Sequence, residues 1–556
     1  MEDNRKTDQT DNRKKKEADK DESKPKEQSA PERKSGPPGT KQPNPDERPD
    51  SRKPQGQKRR EEAEAQEAPA KGWTKEELKR VFEHSADVIV KSSFFGRDNA
   101  KEVVLVFSVG LCDTMMINRH VLPSLSAHYD RDESLTRPLL RLSDALTIEG
   151  FVKTPIRTEL EEAVYSGALL LLFVREGLLA SVDLCNAPRR TPDESSTEIS
   201  IKGPRDCFIE DLDTNVALIR KRIRSSSLHV EGFTIGRRTR TRISLLYIHN
   251  IADPKPLEEV RKRLREIDID GLYSINQLED LLLHNRFKIL PLIDFTGRPD
   301  FVVTSLLNGR FTIIVDGNPM VLIAPATLSF ILKSPEDVHF NFSYVSFSRI
   351  IRILSMFLSI FLPGIWIALM AFHQDQIPFR LMATISVARL GLPLSAQMEM
   401  LLLLLLLEIF KEAGVRLPSA IGQTLTSIGG LIIGDAAIRA GLVSPSVVVV
   451  GAITAVAGVT LVNQVLSTVV SIFRMFFFFL ASFFGMYGVI LGIVLMVAYM
   501  ARLQSFGVSY LAPLSPLLPK DALMSYLRLP FAYITKRPDS IAKAGQDDDH
   551  QGGDMT

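Results

Sequence analysis

Polar residues in a glycine-rich segment, 421–435, have the types and spacing to line a path for ions. Gly430 and Gly434 stand four residues apart, a spacing of small residues that lets helices approach closely. Neighbouring amide and hydroxyl side chains are stable along a water-filled lumen and poorly placed against lipid. Tight packing inside one subunit explains the same pattern, and the residues alone weigh the two interpretations evenly. The candidate pore or gate residues are Gln423, Thr426, Ser427, Gly430, Ile433, Gly434 and Asp435.

A run of alternating arginines offers a different chemistry, the binding of acidic groups. Arg238, Arg240 and Arg242 alternate with other residues just before an apolar segment. This period of two predicts one strand face for the three guanidinium groups, which could contact an acidic partner or lipid headgroups. An edge strand protected by charge is the simpler interpretation. Glu399 is a separate candidate, an intramembrane charge or an interfacial anchor, because it lies in an apolar segment.

Motifs for catalysis or for binding a cofactor or metal do not occur in the sequence. It contains no GxxxxGK[ST], GxSxG, HExxH or paired CxxC motif, and its cysteines, Cys112, Cys185 and Cys207, lie far apart. The 68 Lys and Arg residues nearly balance the 66 Asp and Glu residues, so no long-range field would gather nucleic acid. We therefore predict a protein that is not an enzyme, with no catalytic residue, cofactor or metal, and with no nucleic-acid partner.

The elements that must position these residues begin with a polar tail. Residues 1–70 are rich in charge and proline, and the first aromatic residue is Trp73, which predicts a disordered tail. The first 30 residues contain no apolar stretch typical of a signal peptide, so this region is expected in the cytosol.

Two cytosolic α/β subdomains are predicted next, over residues 73–200 and 204–345. In the first, Thr74 and Glu77 predict a capping box for a helix that continues through Val88. Apolar runs at 167–174 and 178–184 flank a glycine-containing turn and predict a hairpin, and in the second subdomain Asn308-Gly309 predicts another hairpin, between 301–307 and 311–315.

An α-helical multi-pass transmembrane domain is predicted over residues 349–510, followed by a cytosolic C-terminal tail, 511–556. The segment 353–372 is apolar for about 20 residues, the length that crosses a bilayer, and Arg349 and Arg352 precede it on the inner side. The further predicted segments are a span or inserted half-helix at 398–410, a glycine-rich segment at 417–434, a span at 442–462, and an interfacial helix ending near Arg474 before a span at 475–500.

Several sequence blocks resemble the GerA family of bacterial spore-germination proteins. They are IEDLDTNVALIRKRI at 209–223, EGF at 231–233, FLPGIWIAL at 361–369, IP at 377–378, and the stretch from IGQ at 421–423 to GLVSP at 441–445. The blocks follow the family's order, and the resemblance extends from Lys91 to Lys536.

The resemblance implies an A subunit of a nutrient germinant receptor in the inner membrane of a dormant spore. Its implied partners are a transporter-like B subunit, a lipoprotein C subunit, membrane lipid and further copies of itself. It also implies an ion-conducting path that opens when the B subunit binds a nutrient, which favours the pore interpretation of 421–435. The alternatives are an accessory A-like protein that acts downstream, a scaffold for other receptor subunits, and a small-solute transporter.

Overall fold

The structure, a computed structural model, describes residues 72–96, 101–130, 141–143, 146–150, 155–175, 177–186, 200–283, 288–416, 436–530, 537 and 541. The predicted tail at 1–70 lies outside these residues, as does the whole of 417–435 with every candidate pore residue. The described residues form two β-sheets with flanking helices, followed by an apolar helical region.

The first subdomain, residues 73–186, contains a six-stranded antiparallel sheet of order β1-β2-β5-β6-β4-β3. Its strands are β1 (Val88–Phe95), β2 (Lys101–Ser108), β3 (Arg141–Ser143), β4 (Leu146–Gly150), β5 (Ala168–Phe173) and β6 (Leu178–Asp183). Its helices are α1 (Lys75–Val81), α2 (Leu122–Asp130, preceded by a π-helical turn at Ile117–Val121) and α3 (Arg157–Tyr165).

The central strand β5 is apolar at almost every position because helices cover both faces of this sheet. Alternate residues enter separate cores: Leu169 and Leu171 pack with α2, whereas Leu170 and Leu172 pack with α1 and α3. The predicted hairpin at 167–184 is confirmed as the pairing of β5 with β6. The capping box at Thr74 is confirmed. The predicted helix is too long, because Val88 already begins β1.

The second subdomain, residues 200–338, contains a five-stranded antiparallel sheet of order β7-β8-β10-β11-β9. Its strands are β7 (Leu228–Ile235), β8 (Thr241–Ile248), β9 (Asp294–Thr296), β10 (Phe311–Val315) and β11 (Val321–Ala324). Its helices are α4 (Leu212–Arg220), α5 (Pro254–Glu266), α6 (Ile275–Leu283), α7 (Pro299–Leu307) and α8 (Leu328–Ile331), with a 3-10 turn at Pro335–Val338.

The predicted hairpin across Asn308-Gly309 is wrong, because the segment before it is the helix α7. Pro299 occupies the first turn of α7, where its missing N–H costs nothing. Asn308 caps the other end, and Gly309 has a φ of +88°, the left-handed conformation in which helices commonly end. The asparagine and glycine therefore end a helix here, and the glycine-containing turn between β10 and β11 follows at Asp316-Gly317.

The common strand face predicted for Arg238, Arg240 and Arg242 is also wrong. Strand β8 begins only at Thr241, and the preceding residues form a turn in which Arg240 has a φ of +47°. A turn does not keep the alternation of side chains that a strand would impose. Only Arg242 lies on the strand.

The helical region that follows begins with α9 (Phe342–Ala371), which contains the predicted span at 353–372. The others are α10 (Phe379–Ala388), α11 (Ala396–Arg416), α12 (Pro445–Val459), α13 (Gln464–Arg502) and α14 (Pro519–Tyr526). Among the described residues, α9 and α13 are long and apolar enough to cross a membrane, whereas α10 and α12 are apolar but shorter.

Helix α13 is a helical hairpin that reverses at Gly485. The backbone of Gly485 is non-helical, with φ of 61° and ψ of −140°. A Cβ placed on Gly492 would lie 2.6 Å from the ring of Phe477, although a straight helix would separate these residues by about 22 Å. The expected division at Arg474 is therefore wrong, because the helix continues through that residue and the chain turns back at the glycine.

The chain after α13 returns to the second subdomain. Strands β12 (Gln504–Ser505) and β13 (Val508–Ser509) form a small ribbon, and Leu328 donates its backbone N–H to the carbonyl of Tyr510 over 2.9 Å. The described part of the expected C-terminal tail thus includes a packed segment, with α14 adjoining the helical region.

Candidate functional site

A charged cluster joins the second subdomain to the start of α9, and we call it the helix junction. Its centre is Asp337, which is buried at the end of the 3-10 turn. Arg349 Nε donates to Asp337 Oδ2 over 2.9 Å, and Arg352 Nη2 donates to Oδ1 over 2.8 Å. Both arginines lie on α9, so one carboxylate ties the second subdomain to the first long apolar helix.

The electrostatics of the helix junction favour its ionised form. Burial alone would raise the pKa of Asp337, but the bonds and charges of Arg352 and Arg349 hold it below its ordinary value. Arg528 closes the cluster from the C-terminal side, donating to the carbonyls of Phe340 (3.0 Å) and Val338 (3.1 Å). Three separate parts of the sequence therefore meet here.

Both legs of the helical hairpin contact the second subdomain near β9. Asn463, the cap of the first leg, donates to Asp294 over 2.6 Å. Ser505, just after the second leg, donates to the carbonyl of Leu292 over 2.6 Å, and Tyr499 Oη accepts from the backbone of Ile289 over 2.9 Å. A displacement of the second subdomain would therefore be transmitted to α9 and to both legs.

A second buried ion pair joins the two subdomains, and we call this contact the subdomain junction. Arg220 of α4 is fully buried and reaches Asp87 of the first subdomain through Nε (2.9 Å) and Nη2 (3.0 Å). Its guanidinium also lies 4.2 Å from the ring centroid of Tyr165. Burial opposes the charge, but Asp87 raises the pKa of Arg220 above its ordinary value. The pair is charged and has several partners.

A cleft of about 230 Å³ opens beside the subdomain junction. Ala86 and Asp87 line it from the first subdomain, and Val216, Phe233 and other residues line it from the second. Its walls combine apolar side chains with charged ones, Asp213 and Arg242 among them. The described residues include no group of three or more His, Cys, Asp or Glu side chains able to hold a metal ion.

The predicted intramembrane charge, Glu399, lies fully buried at the start of α11. Its carboxylate accepts the backbone N–H of Ser444 over 2.9 Å and Arg389 Nη2 over 3.3 Å. This contact joins α11 to the cap of α12. The prediction that the charge lies within a membrane stays a prediction.

Two further polar contacts join α11 to the first leg of the hairpin. Arg474 Nη2 donates to Glu408 over 2.8 Å, and Lys411 Nζ donates to Ser467 Oγ and Ser471 Oγ, both over 3.2 Å. The helical region is therefore held together by charged and hydroxyl groups as well as by apolar packing.

The arginines predicted to contact a partner or lipid have different surroundings. Arg242 bonds Asp213 over 3.0 Å and Asp316 over 3.2 Å, so it links α4 to the turn after β10. Arg238 is largely exposed, with Asp270 4.0 Å away, and Arg240 is exposed in the turn. The structure thus separates the three residues into one structural link and two surface groups.

Comparison with known families gives a match over most of the chain. Residues 76–540 match the model of the Bacillus/Clostridium GerA spore germination protein. The chain belongs to the GerA family. The resemblance predicted from the sequence blocks is thereby confirmed.

Individual members of the family align with this chain over most of their own length. The chain is 38% identical to spore germination protein XA of Bacillus anthracis over 84% of this chain and 95% of that protein. It is 31% identical to the uncharacterized membrane protein YfkQ of Bacillus subtilis, over 84% of this chain and 90% of the relative. The crystal structure of the N-terminal domain of the A subunit of the Bacillus megaterium spore germinant receptor GerK3 matches with 29% identity and a TM-score of 0.35, covering 46% of this chain and 96% of that one.

Sequence reasoning within this GerA-family chain missed the residues that form the two junctions. Asp87 and Arg220 are 133 positions apart, so no local spacing marks them as partners. Their positions identify Arg349 and Arg352 only as positive charges before an apolar segment. The sequence feature that could have indicated their ion pairing is Asp337, which lies 12 residues before Arg349.

Proposed function

We propose that this chain is an A-type subunit of a spore germinant receptor in the spore inner membrane. It would act with a transporter-like B subunit and a lipoprotein C subunit, and several copies would surround an ion-conducting path. Binding of a nutrient to the partner would favour the open assembly, and ion release would start germination. The observation that carries the proposal is the family match over residues 76–540.

The length and charge of α9 support placement in a membrane. From Ile353 to Ala371 the helix has no charged residue, and its rise over this stretch is about 28 Å, close to the thickness of the hydrocarbon core. Arg349 and Arg352 at its start favour a cytosolic position for the soluble unit. One relative is named as a membrane protein, which is consistent with the proposal that this chain lies in a membrane. That name does not bear on which side of the membrane the subdomains lie.

The helix junction supports a coupling role for the soluble unit. Asp337 contacts α9, while Asp294 and the carbonyl of Leu292 contact the ends of the two hairpin legs. A signal that moves the second subdomain would therefore reach three apolar helical segments at once. Such coupling requires direct contacts that can adopt two alternative arrangements. The contacts of Asp337, Asp294 and Leu292 are the candidates.

We propose that the segment 421–435 lines the ion path, because its sequence combines small residues at helix-packing spacing with polar side chains. Apolar side chains such as Ile433 would close the path by excluding water, and Asp435 would favour cations at one mouth. Exposed Arg238 and Arg240 are available to an acidic partner surface or to lipid headgroups.

The decisive experiment measures ion flux and single-channel current from the purified full-length chain in liposomes, with and without co-purified B and C subunits. The native chain is compared with Gly430→Trp, which would fill a close helix approach or a lumen, and with Gly430→Ala as the matched small change. The proposal expects current in the native chain and in Gly430→Ala, and its loss in Gly430→Trp.

Two results would count against the proposal. Absence of current in every combination, despite correct insertion and assembly, would favour a scaffold role for the chain. Current that survives in Gly430→Trp with unchanged conductance would place the ion path elsewhere in the assembly.

A further inference from the structure

Three histidine rings stack face to face where the first subdomain meets the second. The ring centroids of His84 and His229 lie 4.6 Å apart, and those of His229 and His249 lie 4.7 Å apart, with interplanar angles of 25° and 13°. His229 is buried at 8% exposure, whereas the two outer residues are exposed. His84 follows α1 and belongs to the first subdomain, so this histidine stack crosses the boundary between the subdomains.

The same residues carry the backbone hydrogen bonds that join the two subdomains. Val230 N donates to the carbonyl of His84 over 3.0 Å, and Ala86 N donates to the carbonyl of Val230 over 3.1 Å. These bonds pair the segment around Ser85, in parallel, with the outer edge of β7. Because His84 and His229 adjoin this pairing directly, separation of their rings would also separate the backbones.

The hydrogen bonds of Tyr247 fix how the central ring is protonated. The single hydroxyl proton of Tyr247 is donated to Glu231 over 2.6 Å, and the hydroxyl oxygen accepts from Arg261 over 2.7 Å. His229 Nδ1, 3.1 Å from that oxygen, must therefore be the donor, which leaves Nε2 as the atom that gains a proton in acid. The titratable and charged groups that face His229 are His84, His249, Tyr247, Glu231, Arg261 and Arg220.

This environment opposes a positive charge on the central ring. Burial, followed by the neighbouring His249 and His84, lowers the pKa of His229 to about 4, and Glu231 opposes that shift only in part. The closed junction therefore favours neutral His229. Its stabilising contribution is complete above the ordinary value of 6.5 and is lost as the pH falls from there towards about 4.

We propose that the histidine stack is a proton-sensitive latch, whose protonation releases the first subdomain from the edge of β7 while the helix junction stays closed. Like charges on stacked rings repel one another, and a buried imidazolium loses its hydration. The opening would break the pairing at Ser85 and Val230 and widen the adjoining cleft. This inference goes beyond the proposed function and does not depend on ion conduction.

The test is hydrogen–deuterium exchange of the full-length chain in detergent at pH 8 and pH 5, corrected for the intrinsic pH dependence of exchange. Linkage between the two pKa values given above predicts that the opening constant of the junction rises by up to about 30-fold between these pH values. The amides to follow are those of Ala86 and Val230, with amides of the β10–β11 pairing as the internal reference.

Variants separate the latch from general acid sensitivity. His229→Phe keeps an aromatic ring without a titrating group, and the double variant His84→Gln with His249→Gln changes only exposed positions, so its folding is not at risk. His229→Phe should flatten the pH dependence at the junction, and the double variant should reduce it, because burial of His229 remains. His120→Gln, an exposed histidine far along the first subdomain, is the matched control and should leave the dependence unchanged.

Two outcomes would overturn the inference. The first is equal protection of Ala86 and Val230 at pH 8 and pH 5 in the native chain. The second is a rise in exchange at pH 5 that persists undiminished in the double variant, because the outer rings would then play no part in it.

Discussion

The helix junction and the subdomain junction both depend on a buried aspartate paired with arginine, yet their surroundings differ. At the helix junction, Asp337 has two arginine partners, and Arg528 covers the cluster. At the subdomain junction, Asp87 has one arginine partner, and three stacked histidines lie beside the pair. At the helix junction two arginines stabilise one carboxylate, whereas the subdomain junction adjoins a buried imidazole whose surroundings oppose a positive charge.

This difference indicates which of the two subdomains can move relative to the helical region. The second subdomain is tied to the helices at Asp337, Asp294 and Leu292, so it is expected to move with them. The first subdomain contacts β7 through a short pairing whose stability depends on the neutral state of His229. An input that acts on the molecule is thus most easily received at the subdomain junction and transmitted through the helix junction.

The largest expected effect is the loss of the buried pair at the subdomain junction. Asp87→Ala would leave Arg220 buried without its counter-charge, and the free energy of unfolding should fall by about 3–5 kcal/mol. Denaturant or thermal unfolding of the full-length chain in detergent measures this change. Asp268→Ala, which removes an exposed partner of Arg237, is the matched control and should lower the free energy of unfolding far less. An equal loss of stability in Asp87→Ala and Asp268→Ala would show that burial does not determine what an ion pair contributes here.

The next effect concerns the helix junction. Asp337→Asn keeps the size of the side chain but removes the charge that Arg349 and Arg352 share, so stability should fall by about 2 kcal/mol. Hydrogen exchange at the start of α9 should rise, while exchange at Ala86 should not change. A uniform rise at both junctions would show that they are not independent.

A smaller effect is expected at Lys333, which lies half-buried near the helix junction. Burial, with the nearby charges of Arg349 and Arg310, lowers the pKa of Lys333 to about 7, so the fold disfavours its charged form. The resulting loss of stability is complete below about pH 7 and declines as the pH rises from there towards the ordinary value of 10.5. Lys333→Met should therefore raise the free energy of unfolding at pH 7 by about 1 kcal/mol, and by less at pH 9. A loss of stability at pH 7 would show that the charge has a favourable partner.

The smallest expected effect is the response of the helix junction itself to mild acid. The pKa of Asp337 is lowered from 3.8, so its contribution to stability is present above that value and is lost only as the pH falls below it. In Lys333→Met, where the nearby amine no longer titrates, exchange at the start of α9 should stay constant between pH 8 and pH 5 after correction for intrinsic rates. A rise there that matches the rise at Ala86 would remove the contrast between the junctions.

Local sequence signals predicted the parts of the fold that local interactions determine. The capping box at Thr74 and the hairpin of β5 with β6 follow from neighbouring residues and are present in the structure. The Asn308-Gly309 pair failed because the same residues end helices and form tight turns, and only the helical burial of Phe301, Val302, Ser305 and Leu306 distinguishes the two cases.

The candidate site depended on interactions that the sequence does not display. The sequence pattern predicts an interfacial helix that ends near the charged Arg474, followed by a span at 475–500. The structure pairs that arginine with Glu408 inside the helical region and turns the chain at Gly485. A buried charge with a distant partner does not interrupt a helix, whereas a glycine in a left-handed conformation does.

The reversal at Gly485 also bears on how such a chain could enter a bilayer. Both legs of α13 end beside the second subdomain, and the turn between them is flanked by Phe483, Phe484 and Tyr487. A pair of apolar helices with an apolar turn can insert together from one side, and no charged loop has to be carried through the hydrocarbon core. In the proposed membrane placement, the hairpin would enter together with α11, because Glu408 pairs with Arg474 of the first leg and leaves neither charge without a partner.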